Sequence, residues 1–215
     1  MLERPVTPTL IACPADLVDM WMTELQTRVH SPLFRVLRLN EVDDPQPTIQ
    51  SLESFDVVVC SFAYLEGKYS AQERYLQRLV QQKETYTEER PHLAVLATLW
   101  GRVIVDEAHA LHDVGSSTNA AVCALKSDQR VACTATPVGD ELTNVAALMN
   151  FLHVAPWGDL VTFDEFFLHD ETEEIDEAKD EDNLDMLATT SKAFMLERFA
   201  DDDFDGQRIQ DIPNP

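Results

Sequence analysis

The 215-residue sequence is 45% apolar, enough to bury the core of one large domain or about one and a half small ones. Its 16 basic and 39 acidic side chains leave a formal charge of -23, which argues against strong autonomous nucleic-acid binding through a basic patch. The imbalance is uneven: residues 1–160 carry 12 basic and 21 acidic groups, residues 161–215 carry 4 and 18.

Short β-rich apolar runs alternate with helical patterns, the signature of a parallel sheet covered by helices. Thr9 to Cys13 reads as a strand stopped by Pro14, followed by a helix whose Leu17, Val18, Trp21, Met22, Leu25 and Val29 form one stripe. Leu33 to Leu39 and Asp56 to Cys60 read as the second and third strands. Gly67 is expected to break the chain before a helix from Ser70 to Glu84, with Ala71, Tyr75, Leu76, Leu79 and Val80 facing inward.

Arg102 to Asp106 is a fourth strand whose Val103, Ile104 and Val105 run unbroken, as expected where both faces are covered. Ser117 is the expected cap of a helix through Lys126, Val131 to Thr134 a fifth strand, and Asp140 the cap of a helix carrying Leu142, Val145, Met149 and Leu152. From Asp170 the composition changes. Residues 170–185 have almost nothing to bury and repel one another, so they read as a solvated loop or disordered insertion. A final helix, Leu184 to Phe199, precedes an Asp205-Gly206 turn and an extended tail.

The four cysteines, Cys13, Cys60, Cys123 and Cys133, show neither C-x-x-C spacing nor clustering with histidine, and read as small core residues in a reducing compartment rather than metal ligands. The N-terminus lacks a basic region followed by a long apolar stretch, and no apolar run approaches the roughly 20 residues that span a bilayer. The expectation is a soluble, intracellular protein with no membrane partner.

The segment WGRVIVDEAHAL places Asp106, Glu107, Ala108 and His109 at the carboxyl end of a buried strand, the edge at which open parallel sheets bind ligands. An aspartate there suits Mg²⁺, because a hard cation takes oxygen ligands. A neighbouring glutamate suits the orientation and deprotonation of an attacking water. Read alone, the pair fits two solvated carboxylates at a strand end equally well. About 25 residues on, VACTATP ends the next strand with Thr134 and Thr136, whose hydroxyls can bond the DEAH segment. Read alone, they fit a threonine-rich turn before a helix better.

Four segments in order, LIACPADLVDMW, FDVVVCSFAYL, WGRVIVDEAHAL and VACTATPVGDELTNVAALMNFL, resemble the first motor lobe of Swi/Snf-type ATPases. The likeness extends through TFDEFF and FMLERFADDDFDGQRIQDIPNP, so it covers nearly the whole chain. It implies a RecA-like α/β lobe over residues 1–160. Residues 161–215 would then end the lobe, with the acidic insertion and a linker toward a second lobe. It also implies ATP and Mg²⁺ as cofactors and ATP-driven translocation on duplex DNA or nucleosomes, in chromatin remodelling or DNA repair, in the nucleus.

By the same resemblance Asp106 would hold Mg²⁺ and Glu107 would activate water, while His109, Thr134 and Thr136 would couple nucleotide to DNA. Pro14, Ala15 and Ser61 would lie near the DNA backbone, where main-chain N–H groups and helix N-termini bind phosphate. On local grounds Pro14 reads as a strand stop and Ser61 as a helix cap.

The chain also departs from the family. None of its six glycines lies in the phosphate-gripping pattern G-x-x-x-x-G-K-[ST]. The resemblance places that loop's strand inside the sheet beside the DEAH strand, so its loss is expected to leave the chain aggregation-prone. Ala135 stands where the family has glycine. Ala110, Leu111, His112 and Asp113, together with Glu197, replace residues that are commonly basic or asparagine. A second reading follows from these departures: a pseudoenzyme whose acidic C-terminal third engages basic protein partners.

Overall fold

The computed structural model describes residues 7–40, 46–81, 93–136, 142–167, 177–196, 203–204 and 207–208. The chain divides into two compact units, Met1–Phe163 and Asp164–Pro215. The first is built on a five-stranded sheet, in order β2-β3-β1-β5-β7. Its strands are β1 (Thr9–Cys13), β2 (Val36–Arg38), β3 (Val57–Ser61), β5 (Arg102–Val105) and β7 (Arg130–Ala132). Every pairing in it is parallel, with Ala12 opposite both Cys60 and Val105, and Val105 opposite Ala132.

Alternation along the strands divides the core between two faces. Leu10, Ala12, Val58, Cys60, Val103 and Val105 point to one face. There they meet Leu65 of α3 (Phe62–Gln81), Val95 of α4 (Ala94–Ala97), Val122 of α5 (Ser117–Cys123) and Phe151 of α6 (Leu142–Leu152). Ile11, Cys13, Val59 and Ile104 point to the other, where Val18, Trp21, Met22 and Leu25 of α1 (Val18–Arg28) cover them. Two faces covered by helices explain why these strands read as continuous apolar runs.

A short helix α2 (Ile49–Leu52) precedes β3, and a two-stranded parallel sheet pairs β4 (Leu99–Trp100) with β6 (Lys126–Ser127). Between β4 and β5 the backbone passes Thr7 so closely that a Cβ on Gly101 would stand 2.2 Å from the Thr7 hydroxyl oxygen, so only glycine fits.

Both edges of β5 are taken, by β1 and by β7. The expectation of a gap beside the DEAH strand is therefore wrong: a further strand can join this sheet only at β2 or β7. Gly67 does not break the chain either, since α3 runs through it for 20 residues. A helix-interior glycine costs about 1 kcal/mol, which the burial of Phe62, Tyr64 and Leu65 in the preceding turn offsets. The face expected inward fares differently. Ala71 and Tyr75 are half-buried, but Leu76, Leu79 and Val80 are exposed. A 20-residue helix is roughly 30 Å long, whereas three- to five-residue strands span about half that, so the helix outruns the sheet.

Ser116, not Ser117, caps α5, its Oγ accepting the Asn119 N–H at 3.1 Å. Asp140, expected to cap α6, lies outside the described residues. The cysteines split: Cys13 and Cys60 are buried, Cys123 is half-buried and Cys133, just past the end of β7, is exposed. No helix of the described residues is long and apolar enough to cross a membrane.

α7 (Leu160–Phe167) spans the division between the units, and Asp159 caps it by accepting the Thr162 N–H at 2.9 Å. In the second unit α8 runs Glu177–Phe194, seven residues earlier than expected at its start. Residues 177–185 are thus helical rather than a loop. Glu, Ala and Lys are good helix formers. The rest of the acidic stretch, 170–176, lies outside the described residues, as do Glu197, Asp205 and Gly206. β8 (Asp203–Phe204) and β9 (Gln207–Arg208) pair antiparallel.

Candidate functional site

The order of the sheet makes β1 its turning point, with β3 on one side and β5 on the other. Ligands of open parallel sheets bind at such a point, beyond the carboxyl ends of the strands. Every residue singled out from the sequence stands at that edge. Pro14 and Ala15 follow β1, Ser61 ends β3, Asp106, Glu107 and His109 follow β5, and Thr134 and Thr136 follow β7.

Asp106 is the best-held of them. Its N–H donates to the Ala12 carbonyl at 2.9 Å, extending the β1–β5 ladder by one rung. Its carboxylate accepts twice: Oδ1 from the Glu107 N–H at 3.0 Å and Oδ2 from the indole Nε1–H of Trp21 at 2.8 Å. The plane of the carboxylate is thereby fixed from both sides. Burial first, and then the charge of Asp106, raise the thiols at the ends of the two flanking strands, Cys13 to about 12 and Cys133 in the same direction.

Glu107 adopts left-handed backbone angles, φ 52° and ψ 50°, a region unfavourable for any residue with a Cβ. Its side chain reaches His109, with Nδ1 and Oε2 3.1 Å apart on a half-exposed surface. The 3-10 turn Ala108–Leu111 that follows is pinned at both ends. The Ala108 N–H donates to the Cys133 carbonyl at 2.8 Å, and the Leu111 carbonyl accepts from Asn119 Nδ2 at 2.9 Å. Ala108, Leu111 and Asn119 are all buried. His112 packs edge-on against His109, and burial followed by the neighbouring imidazole holds its pKa below the usual histidine value.

The two threonines do not join the DEAH segment through their hydroxyls in the way expected. Thr134 Oγ1 accepts the Thr136 N–H at 3.1 Å, closing a local turn. The link to DEAH runs through the main chain of Cys133, which donates to Val105 and accepts from Ala108. Ser61 caps α3 by accepting the Tyr64 N–H at 3.1 Å, and the Pro14 carbonyl accepts from Leu17 to open the 3-10 turn before α1.

Trp21 was legible in the sequence only as one position of an apolar stripe. The available signal was chemical: a partly buried indole N–H needs an acceptor. The donor set also suits a magnesium ion. Asp106 uses only two of its roughly four lone-pair directions. One or two carboxylates, completed by waters and substrate phosphates, is the usual Mg²⁺ arrangement.

Comparison with known proteins gives this edge its context. The SNF2-related domain family matches residues 2–211. This chain belongs to the SNF2-related domain family. It is 31% identical over 212 residues to the DNA repair protein RAD5 of Mycosarcoma maydis, a match that spans 95% of this chain and 14% of that protein. To the DNA repair protein RAD5A of Arabidopsis thaliana it is 25% identical, over 95% of this chain and 18% of the relative. The SNF2 relatives are therefore far longer than the sequence in hand. Among solved structures the chain is similar to the Sulfolobus solfataricus SWI2/SNF2 ATPase core in complex with dsDNA. The TM-score is 0.64 at 22% identity, over 91% of this chain and 34% of that one, which establishes a RecA-like fold.

Proposed function

We propose that the chain supplies the metal- and water-handling edge of the first motor lobe in an SNF2-type ATPase that moves on duplex DNA in the nucleus, in the service of DNA repair. The observation that carries the reading is the Asp106–Glu107 pair at the end of β5, one carboxylate held by two donors and the other, on a left-handed backbone, beside His109. The DNA-repair relatives and the dsDNA-bound structural neighbour support the partner and the setting.

In this reading Asp106 holds Mg²⁺, directly or through water, and Glu107 orients and deprotonates the attacking water. When bound, Mg²⁺ neutralises charge developing on the β- and γ-phosphate oxygens. His109 steadies the Glu107 carboxylate. The Thr134–Thr136 turn, joined to DEAH through Cys133, passes the state of the nucleotide toward DNA. Pro14, Ala15 and Ser61 lie where the ends of β1 and β3 can meet the DNA backbone, with main-chain N–H groups and the α3 N-terminus as donors.

The sequence contains no G-x-x-x-x-G-K-[ST] loop to cradle a triphosphate, so the 215 residues alone are expected to show no ATP hydrolysis above background. Fused to a phosphate-gripping segment and a second lobe from a RAD5 relative, the chain should hydrolyse ATP when Mg²⁺ and DNA are present. Glu107→Gln should then abolish turnover while leaving nucleotide binding largely intact. Robust hydrolysis by the 215 residues alone, or a fusion indifferent to Glu107→Gln, would overturn the assignment.

A further inference from the structure

Trp21 sits on α1, 85 residues before Asp106, yet its indole Nε1–H reaches the Asp106 Oδ2 at 2.8 Å. The ring belongs to the apolar cluster of Ile11, Cys13, Val18 and Val59, so its plane is set by packing on the sheet and not by the carboxylate. Phenylalanine would fill most of that space, but only tryptophan carries a donor at the far end of the ring. Phe62, Tyr64 and Phe151 show that the opposite face of the sheet is served by other aromatics. The placement on Asp106 therefore has a consequence that packing alone does not require.

We infer that Trp21 is a positioning residue for the metal-holding carboxylate: it fixes the Asp106 side chain so that its remaining lone pairs point outward from the sheet edge. This rests on the metal-holding reading of Asp106 given above. The donors divide the task. Glu107 N–H, on the same turn, orients Oδ1 only as far as the turn itself is fixed. Trp21, on a separate element packed against β1 and β3, ties Oδ2 to the body of the lobe. Hydrogen-bonded partners of this kind orient carboxylate ligands, and their loss typically weakens metal binding by about 10- to 100-fold.

The test uses the 215-residue chain with Mn²⁺ as a paramagnetic stand-in for Mg²⁺. The chain has three tryptophans, hence three indole N–H signals. The Trp21 signal should be protected from exchange, and Asp106→Asn should shift it and speed its exchange. Mn²⁺ should broaden the Glu107 and Ala108 amide signals saturably in the parent chain, and Asp106→Asn should abolish that broadening. Trp21→Phe should raise the Mn²⁺ concentration for half-broadening about tenfold, whereas Met22→Ala, which loosens the same cluster without touching Asp106, should leave it unchanged.

Broadening that survives Asp106→Asn would sink the metal-holding reading itself. Broadening lost in Asp106→Asn but unmoved by Trp21→Phe would overturn the positioning role and spare that reading. An equal loss in Met22→Ala would also overturn it, reducing Trp21 to a packing residue. Should Trp21→Phe fail to fold, the indole signal of the parent chain decides: indifference to Asp106→Asn would refute the contact.

Discussion

Glu107 offers a measurement in which the sign of the effect carries the information. Its φ of 52° puts a residue with a long side chain in the left-handed region. That conformation costs an L-residue roughly 1–2 kcal/mol, while glycine escapes the cost but loses roughly 0.5–1 kcal/mol more chain entropy on folding. Glu107→Ala and Glu107→Gly both remove the carboxylate and its contact with His109, so comparing them cancels the side chain and isolates the backbone. The difference should favour glycine by about 0.5–1 kcal/mol, reversing the usual order in which alanine is the more stable. For a domain of this size that corresponds to a thermal midpoint about 1–4 °C higher for the glycine variant. Urea and thermal unfolding followed by circular dichroism would measure it. An alanine variant as stable as the glycine variant, or more so, would mean that Glu107 is not held left-handed.

Two further outcomes are expected. Burial pushes the Cys13 thiol up to about 12 and the Cys60 thiol further in the same direction, so both stay protonated near pH 8. Exposed Cys133 should therefore react first with a disulfide reagent, and labelling of Cys13 or Cys60 at the same rate in the folded chain would contradict the buried placement. With 16 basic against 39 acidic side chains, the 215-residue chain should bind duplex DNA weakly at about 150 mM salt, because phosphate neutralisation dominates non-specific affinity. Micromolar or tighter binding in an equilibrium titration would refute that.

What the sequence made legible follows the physics of periodicity. β1 was read at Thr9–Cys13 because five apolar-rich residues end at a proline, and β5 because Val103, Ile104 and Val105 need cover on both faces. What it hid depends on contacts distant in sequence. β4 and β6 are two residues each, too short for any periodic signal. The exposure of Leu76, Leu79 and Val80 depends on how far the sheet extends, which the α3 sequence does not encode. That the residues of the site share one sheet edge was legible, but their contacts were not. Trp21 and Asp106 are 85 positions apart, and the left-handed turn at Glu107 is marked by no glycine or asparagine. The sequence offers the Thr134 hydroxyl as a partner for the DEAH segment, whereas in the fold it accepts the N–H of Thr136, two residues on.

The sheet also restricts how this edge can be completed. β5 is saturated on both sides, so a strand that delivers a phosphate-gripping loop can pair only with β2 or with β7. β2 lies three strands from β5 in the order β2-β3-β1-β5, roughly 14 Å at the usual strand spacing. β7 is its immediate neighbour, and its Val131 is 38% exposed. A parallel strand on β7 would end at the same edge as Asp106 and would bring its loop alongside the Cys133–Thr134 backbone that already joins DEAH. The main-chain bonds of Cys133 to Val105 and Ala108 then acquire a role beyond holding the sheet together. They join the end of β7 directly to the backbone on either side of the two carboxylates, at Val105 and Ala108. Cys133→Pro, which removes the N–H given to Val105, should shift the amide NMR signals of Asp106 and Glu107 while leaving those of β1 and β3 in place, and unchanged Asp106 and Glu107 signals would refute the link.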